Sequence, residues 1–384
     1  MRTKFCRRAT ICLIGSSMFL TALTGCEKVP TFQELTGEQQ GKSANTTPNP
    51  TPAATAKVSQ PTPAPEVANP APIDPAKFLA DFSAKRSDAI TDADLETLAS
   101  LESGREQVAS LDITRSGITD AGLQNLTKLP ELSVLILTAT SIDGHGLEAL
   151  AGCPKLKRLK VSSALKITPQ GWEALSKVSQ LEFLDVSSTS SITDADVAKF
   201  TAMPHLRELN LSETTLTDEV FKTLAQMENL EILHIEKDGL IRGSGLQAYT
   251  KSKPALREIY ANGTPLGNAG LRHIKSIRSL AFLDISGTSL TDTQFAELKG
   301  ANNLVHLKIG ANFLSNDGMK IVLSLSKLKI LDLEGMPTIN DAALGILSKK
   351  SGLQTLNVKK TPCTPKAIEQ FRKLQKNCEV LASE

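Results

Sequence analysis

The chain has 384 residues, of which 40% are hydrophobic and only 4% aromatic, so aliphatic side chains must fill most of any large core. Its formal net charge of +2 is smaller than the positive charge that four bases place in the first 25 residues, namely Arg2, Lys4, Arg7 and Arg8. The remainder is slightly acidic, which removes the electrostatic basis for binding nucleic acid.

Residues 1–25 have the pattern of a signal peptide, with the basic segment MRTKFCRR followed by the apolar segment ATICLIGSSMFLTAL. The apolar segment is too short to span a bilayer as a stable helix. The four residues LTGC, which end at Cys26, resemble the lipobox of bacterial lipoproteins. The resemblance implies cleavage before Cys26, acylation of that cysteine with chains such as palmitate, and a lipid anchor; ordinary secretion with an incidental cysteine is the alternative. Glu27 in place of aspartate favours the outer membrane or cell surface.

A tether follows over 26–73, where Pro, Thr and Ala predominate and too little apolar surface is available to order the chain. We interpret it as a leash between the lipidated Cys26 and the folded part, in preference to a proline-rich docking site. Asp74 and Pro75 then have the residue types of a helix start. Residues 74–107 are predicted to form an N-terminal helical cap with a half-repeat.

The segment LAFLDISGTSLTDTQFAEL, residues 280–298, recurs with small insertions about every 24 residues over 108–371, giving about eleven repeats. A fixed period of this length is typical of leucine-rich repeats. No single repeat buries enough apolar surface to fold alone, so neighbouring repeats must stack. The predicted fold is an α/β leucine-rich-repeat solenoid, a horseshoe with parallel strands on the concave face and short helices on the convex face. Residues 372–384 are predicted to be a C-terminal cap.

The repeats resemble the ribonuclease-inhibitor-like and cysteine-containing leucine-rich repeats, and most of all their threonine-bearing version in bacterial envelope proteins. The similarity covers residues 85–381. Where those relatives carry Cys or Asn after the strand, this chain has hydroxyl residues and one amide, at Ser116, Thr140, Thr189, Thr214, Thr264, Thr288, Asn312 and Thr361. We expect these side chains to bond the turning backbone. The resemblance implies a binding protein without identifying its partner.

Convergent polar groups of the kind that catalysis requires are sparse. Ser212, His234 and Glu236 could form a nucleophile and base, but chance polar neighbours on a solvated strand face explain them better. His234 and His306 are too far apart to share a metal. We therefore predict no enzyme activity, no metal site and no cofactor.

Two cysteines near the C-terminus, Cys363 and Cys378, could form a disulfide in an oxidising envelope, or remain as two buried free thiols. Cys153 and Trp172 occupy predicted core positions.

The exposed face of the predicted strands is the most informative surface, because it carries apolar side chains where water does not require them. Aromatic and acidic residues together suit a protein or peptide ligand, although scattered exposed apolar residues are also common. The candidate ligand-binding residues are Phe183, Asp185, Ile232, His234, Tyr260, Phe282, Asp284, His306, Ile330 and Asp332.

The sequence thus predicts a non-enzymatic protein-interaction module of the bacterial envelope, lipid-anchored and binding an unknown protein or peptide on its strand face. Two alternatives remain open: a structural envelope component that self-associates or binds cell-wall polymer, and an inhibitor of an exported enzyme.

Overall fold

Parallel strands succeed one another along the chain and form one continuous sheet in sequence order. The computed structural model describes residues 11–13, 73–252 and 254–383. Cys26 and the tether segment 27–72 lie outside the described residues. The strands are β1 Ile11–Leu13, β2 Val108–Asp112, β3 Val134–Ile136, β4 Arg158–Lys160, β5 Phe183–Asp185, β6 Glu208–Asn210, β7 Ile232–His234, β8 Glu258–Tyr260, β9 Phe282–Asp284, β10 His306–Lys308, β11 Ile330–Asp332, β12 Thr355–Asn357 and β13 Glu379–Leu381.

The leucine-rich-repeat solenoid predicted from the sequence is confirmed. From β3 to β13 the central residue of each strand pairs with the central residue of the next, as Leu283 does with Leu307, and Leu111 of β2 pairs with Leu135 of β3. These central side chains point into the core, where one apolar cluster extends from Phe82 to Val380. Because side chains alternate along a strand, the first and third residues of each strand point away from the core. β1 pairs with β2, and its three residues lie within the predicted signal peptide.

Short helices form the other side of each repeat. The α-helices are α1 Pro75–Ala84, α2 Asp92–Ser100, α3 Pro169–Ser176, α4 Asp194–Lys199, α5 Val220–Leu224, α6 Asn268–Ile274, α7 Asp292–Phe295, α8 Asp341–Leu347 and α9 Pro365–Leu374. The 3-10 helices are Ser87–Ala89, Arg105–Gln107, Gly122–Lys128, His145–Gly152, Phe200–Ala202, Ser244–Thr250, Ala296–Leu298 and Asp317–Ser324. None of the helices in the described residues is long and apolar enough to cross a membrane.

The Thr-Asp pair at many helix starts has two separate functions. The threonine caps its own helix, as Thr291 does in a capping box with Gln294. The aspartate instead reaches the next repeat: Asp292 accepts hydrogen bonds from the backbone N–H and the hydroxyl of Ser315. This side chain therefore connects two stacked helix starts in addition to placing negative charge at one of them.

The hydroxyl column after the strands bonds the turning backbone as expected. The Thr140 hydroxyl donates to Leu137 O at 2.9 Å, and the Thr361 hydroxyl donates to Val358 O at 2.7 Å. Asn312 does more, because its amide nitrogen donates to Ile285 O and Ile309 O, both at 2.9 Å. There are two exceptions: the Thr214 hydroxyl donates to the Asp238 carboxylate at 3.2 Å, and the buried Ser116 hydroxyl has no partner among the described residues.

A left-handed residue follows each strand from β2 to β12, four positions after the central residue. Its backbone N–H continues the ladder to the next turn, as Ala311 N does to Glu334 O at 2.8 Å. Glycine occupies this position only at Gly263, Gly287 and Gly335; the others are Arg115, Ala139, Ser163, Ser188, Glu213, Lys237, Ala311 and Lys360, with φ between 51° and 59°. The solenoid thus repeats an unfavourable local conformation because the ladder requires it.

Candidate functional site

The surface formed by the first and third residues of strands β3–β13, with Ser110 and Asp112 of β2, is called here the strand face, and all ten candidate residues lie on it. Seven of them are partly exposed: Ile232, His234, Tyr260, Phe282, His306, Ile330 and Asp332. The other three are buried, so the prediction that Phe183, Asp185 and Asp284 are exposed is wrong.

Phe183 is buried by its neighbours on the preceding strand. The guanidinium of Arg158 lies 3.8 Å from the ring centroid, and the ammonium of Lys160 lies 5.9 Å from it. A cation over an aromatic face is attracted by the ring quadrupole. The chain therefore covers this ring itself, which leaves Phe183 only 5% exposed.

The acidic and amide residues at the ends of the strands have a local structural function. In six strands this side chain accepts a hydrogen bond from the backbone N–H two residues later, at 2.8–3.1 Å; the residues are Asp112, Asp185, Asn210, Asp284, Asp332 and Asn357. Such Asx turns stabilise the departure of the chain from the sheet. Recurrence of aspartate at this position therefore needs no ligand to explain it.

Four aromatic rings from consecutive strands stack into one row, which we call the ring ladder: His234, Tyr260, Phe282 and His306. The centroids of His234 and Tyr260 are 4.4 Å apart with nearly parallel planes. Tyr260 and Phe282 are 4.6 Å apart, and Phe282 meets the edge of His306 at 4.7 Å. Ring pairs at these separations are mutually attractive. Tyr260 and Phe282 thus lie between the two histidines in the row.

Carboxylates surround the β7 end of the ring ladder. Glu208 approaches His234 Nε2 at 3.4 Å, and Glu236 approaches His234 Nδ1 at 3.6 Å. Burial alone lowers the pKa of His234, but hydrogen bonding and attraction to Glu236 and Glu208 outweigh it, so the pKa is raised above the ordinary value. The imidazolium form of His234 is therefore held between two carboxylates.

Tyr260 is held by a third carboxylate. Its hydroxyl donates to Glu258 Oε2 at 2.9 Å. Burial, together with the negative charge of Glu258, raises the pKa of Tyr260 to about 12, so the ring remains neutral at physiological pH.

The polar groups around His234 are not arranged for nucleophilic catalysis. The Ser212 hydroxyl donates to the Glu236 carboxylate, and Glu236 N donates back to Ser212 Oγ at 3.0 Å. A nucleophilic serine needs its proton directed at a base such as imidazole. Across the residues that the structure describes, no group of three or more His, Cys, Asp or Glu residues could hold a metal ion.

One buried acid behind the ladder was not anticipated. Asp238, in the turn after β7, is fully buried and accepts from Thr214 N at 2.7 Å, while its Oδ2 has no partner among the described residues. Desolvation, and to a smaller extent the charges of Glu236 and Glu213, raises its pKa to about 7. The insertion that follows Asp238 in the sequence disguised its place in the hydroxyl column.

The cysteines near the C-terminus are free thiols, and no disulfide joins Cys363 to Cys378. Burial raises the pKa of both. Cys153 and Trp172 are both fully buried in the core, as predicted.

The ten candidate residues do not include Glu208, Glu236 and Glu258, although these three carboxylates form the charged border of the site. The sequence did contain a signal for them. Glu236 is two residues after His234, and Glu258 is two residues before Tyr260. Glu208 and Glu258 are both in register with Ile232 on the strand between them.

Comparison with known proteins supports the fold. The family model described as "Leucine Rich repeat" matches residues 202–219, which span a single strand and its turn. No curated protein matches the chain in sequence.

Among solved structures, an internalin (InlF) from Listeria monocytogenes is similar at a TM-score of 0.53 with 18% identity, covering 77% of this chain and 78% of the internalin. The mouse RP105/MD-1 complex gives a TM-score of 0.50 with 19% identity; 76% of this chain is covered, but only 56% of that one. A leucine-rich-repeat protein of Leptospira interrogans matches with 19% identity over 72% of each chain at a TM-score of 0.46. At these identities the likeness concerns the fold: this chain is a leucine-rich-repeat solenoid, a fold consistent with protein interaction.

Proposed function

We propose that this protein is a non-enzymatic binding module whose protein or peptide partner docks on the strand face at the ring ladder. The ladder itself carries the proposal. It places four partly exposed rings on consecutive strands of one in-register sheet, so their spacing is fixed before any partner arrives. Aromatic side chains on a rigid surface are the usual centres of protein interfaces.

Two observations support binding over catalysis. The Ser212 hydroxyl is bonded to Glu236 rather than to His234, so the residues that most resemble a catalytic set are not aligned as one. The RP105 protein, which shares the fold, is described in complex with MD-1. A protein partner for this chain is proposed on that analogy.

We further propose that Cys26 carries a lipid anchor and displays the solenoid on the bacterial envelope, at the outer membrane or cell surface. The lipobox-like LTGC after an apolar segment supports this, and the following Pro-rich stretch would provide reach. Mass spectrometry of the mature N-terminus tests it: we expect a diacyl or triacyl Cys26, and an unmodified Cys26 in cells would contradict the anchor.

Site-specific photocrosslinking in the producing cells tests the docking surface. A benzoylphenylalanine at position 232, beside the ring ladder, should capture a partner protein. The same probe at position 222, on the exposed helix side of a neighbouring repeat, should not. Equal capture from both positions, or capture from neither, would contradict docking on the strand face.

A further inference from the structure

Two aromatic sites on the strand face differ in whether the chain supplies a cation. At Phe183 the guanidinium of Arg158 occupies the ring face at 3.8 Å. At the ring ladder, no Lys or Arg of the described residues lies over Tyr260 or Phe282. The cation–π contact is therefore complete at Phe183. At Tyr260 and Phe282 the ring faces have no cation among the described residues.

Some of the carboxylates around the ladder are paired with a cation of the chain, and others are not. At the two ends, Glu208 is paired with Arg158 at 3.5 Å, and Asp284 is paired with Lys308 at 3.1 Å. Between them, Glu258 bonds only the neutral hydroxyl of Tyr260 among the described residues.

Glu236 is the second carboxylate without a permanent cation. Its contacts among the described residues are the Ser212 hydroxyl and the titratable ring of His234. Its pKa remains low despite burial, because hydrogen bonds from His234 and Ser212 favour the charged form. Negative charge therefore lies beside the rings.

We propose that the ring ladder, with Glu236 and Glu258, binds a cationic side chain from a basic segment of the partner protein. This inference rests on the proposed function and specifies the chemistry of the partner. A guanidinium or ammonium group over Tyr260 would gain attraction from the ring face and from a carboxylate at once. Arg158, Lys237 and Lys308 are already paired with Glu208, Glu213 and Asp284, so the missing cation comes from another molecule.

Other partner chemistries fit less well. An acidic segment would meet like charge at Glu236 and Glu258. A purely apolar segment would cover these carboxylates without pairing them, which costs free energy on burial.

Fluorescence anisotropy with labelled peptides and the purified full chain tests the proposal. The probes are a five-residue peptide with two arginines separated by glycine and its counterparts with glutamine or glutamate in place of arginine. Tyr260→Leu removes the ring without changing charge, and Glu258→Gln removes one charge. The matched controls are Phe183→Leu, whose ring is already covered, and Glu334→Gln, whose carboxylate is paired with Lys360.

We expect the arginine peptide alone to bind, and we expect Tyr260→Leu and Glu258→Gln each to weaken it about fivefold. The two control variants should remain within about twofold of wild type. Circular dichroism must show that all four variants are folded.

Binding of the glutamate or glutamine peptide as tightly as the arginine peptide would overturn the proposal. An unchanged affinity in Tyr260→Leu would do so too, because opposite charge alone would then explain the binding. A partner crosslinked at position 232 whose capture is insensitive to Tyr260→Leu and Glu258→Gln would refute the cationic contact and leave the proposed function standing.

Discussion

The strand face has one aromatic site at β4–β5 and another at β7–β10, and they differ in what surrounds the rings. At the first, Arg158 and Lys160 lie against Phe183 and bury it. At the second, Glu208, Glu236 and Glu258 border a row of partly exposed rings. Aromatic residues are therefore part of the packed structure at β4–β5 and are available to a partner at β7–β10. The sign of the neighbouring charge makes the difference.

The buried carboxyl group of Asp238, in the turn after β7, offers the largest test of the comparison. Because burial raises its pKa from 3.8 unfolded to about 7 folded, the folded state favours the protonated form. Its contribution to stability is complete below pH 3.8 and is lost as the pH rises through 7. Asp238→Asn should therefore stabilise the protein by roughly 3 kcal/mol at pH 9, with little gain at pH 4, as measured by urea unfolding.

Asn312 provides the reciprocal control, since it occupies the same column with its amide fully bonded. Asn312→Asp should introduce the same loss of stability at high pH into the turn after β10. If both variants unfold with the pH profile of the wild type, Asp238 does not carry the proposed proton.

A second test separates the two aromatic sites by stability. Phe183→Ala should lower the free energy of unfolding by roughly 2 kcal/mol, because a buried ring and its cation contact are lost. Its affinity for the arginine peptide should not change. Phe282→Ala, at a partly exposed position, should lower the free energy of unfolding by roughly 1 kcal/mol and weaken binding of the arginine peptide. Urea unfolding and fluorescence anisotropy should be measured on both variants. Equal losses of stability together with equal changes in peptide affinity would refute the comparison.

The third test concerns His234, which faces Glu208 and Ser212 on one side, Glu236 in its own repeat, and Tyr260 and Glu258 on the other. Its pKa is raised, so the imidazolium neutralises the carboxylates until the pH exceeds the ordinary value of 6.5. Affinity for the arginine peptide should therefore increase between pH 6 and pH 8.5, by about fivefold if one unit charge is removed nearby.

His234→Gln should abolish this increase. His306→Gln should preserve it, because burial and then Lys308 lower the pKa of His306 below its ordinary value, away from this range. Affinity that falls as the pH rises would contradict the electrostatic account of the second site.

The smallest test compares two neighbouring turns within the second half of the solenoid. Ala311 adopts the left-handed conformation at φ 51°, and Gly335 occupies the same position one repeat later at φ 73°. Ala311→Gly should stabilise by about 0.5–1 kcal/mol and Gly335→Ala should destabilise by a similar amount. A Cβ at Gly335 would meet only Ala311 N, at 3.9 Å, so no clash confuses the result. Thermal unfolding of both variants measures the difference, and shifts of the same sign would contradict it.

The leucine spacing was sufficient to predict the fold, because each core position is decided by a period that does not depend on its neighbours. The truncated closing strand around Val380 follows from the same spacing. Left-handed turns were not predictable, since residues as different as Arg115 and Ala311 adopt them to keep the hydrogen-bond ladder intact.

The candidate site was only partly predictable. The apolar and aromatic residues of the strand face could be identified, because the repeat spacing relates residues at equivalent strand positions, but it does not show contacts between different positions. Tyr260 and Phe282 lie in different columns, and their diagonal contact joins two pairs into four rings. Burial of Phe183 depends on the rotamer of Arg158, which no spacing rule specifies.

A left-handed residue recurs at the same place in every turn from Arg115 to Lys360, so these positions are evenly spaced along the solenoid. In adjacent repeats these residues are about 4.8 Å apart along the strand-pairing direction. Since this place accepts charged, hydroxyl and small side chains alike, paired spectroscopic labels could be attached there at chosen separations. Distances between such labels would report whether the curvature of the solenoid decreases or increases when a partner binds.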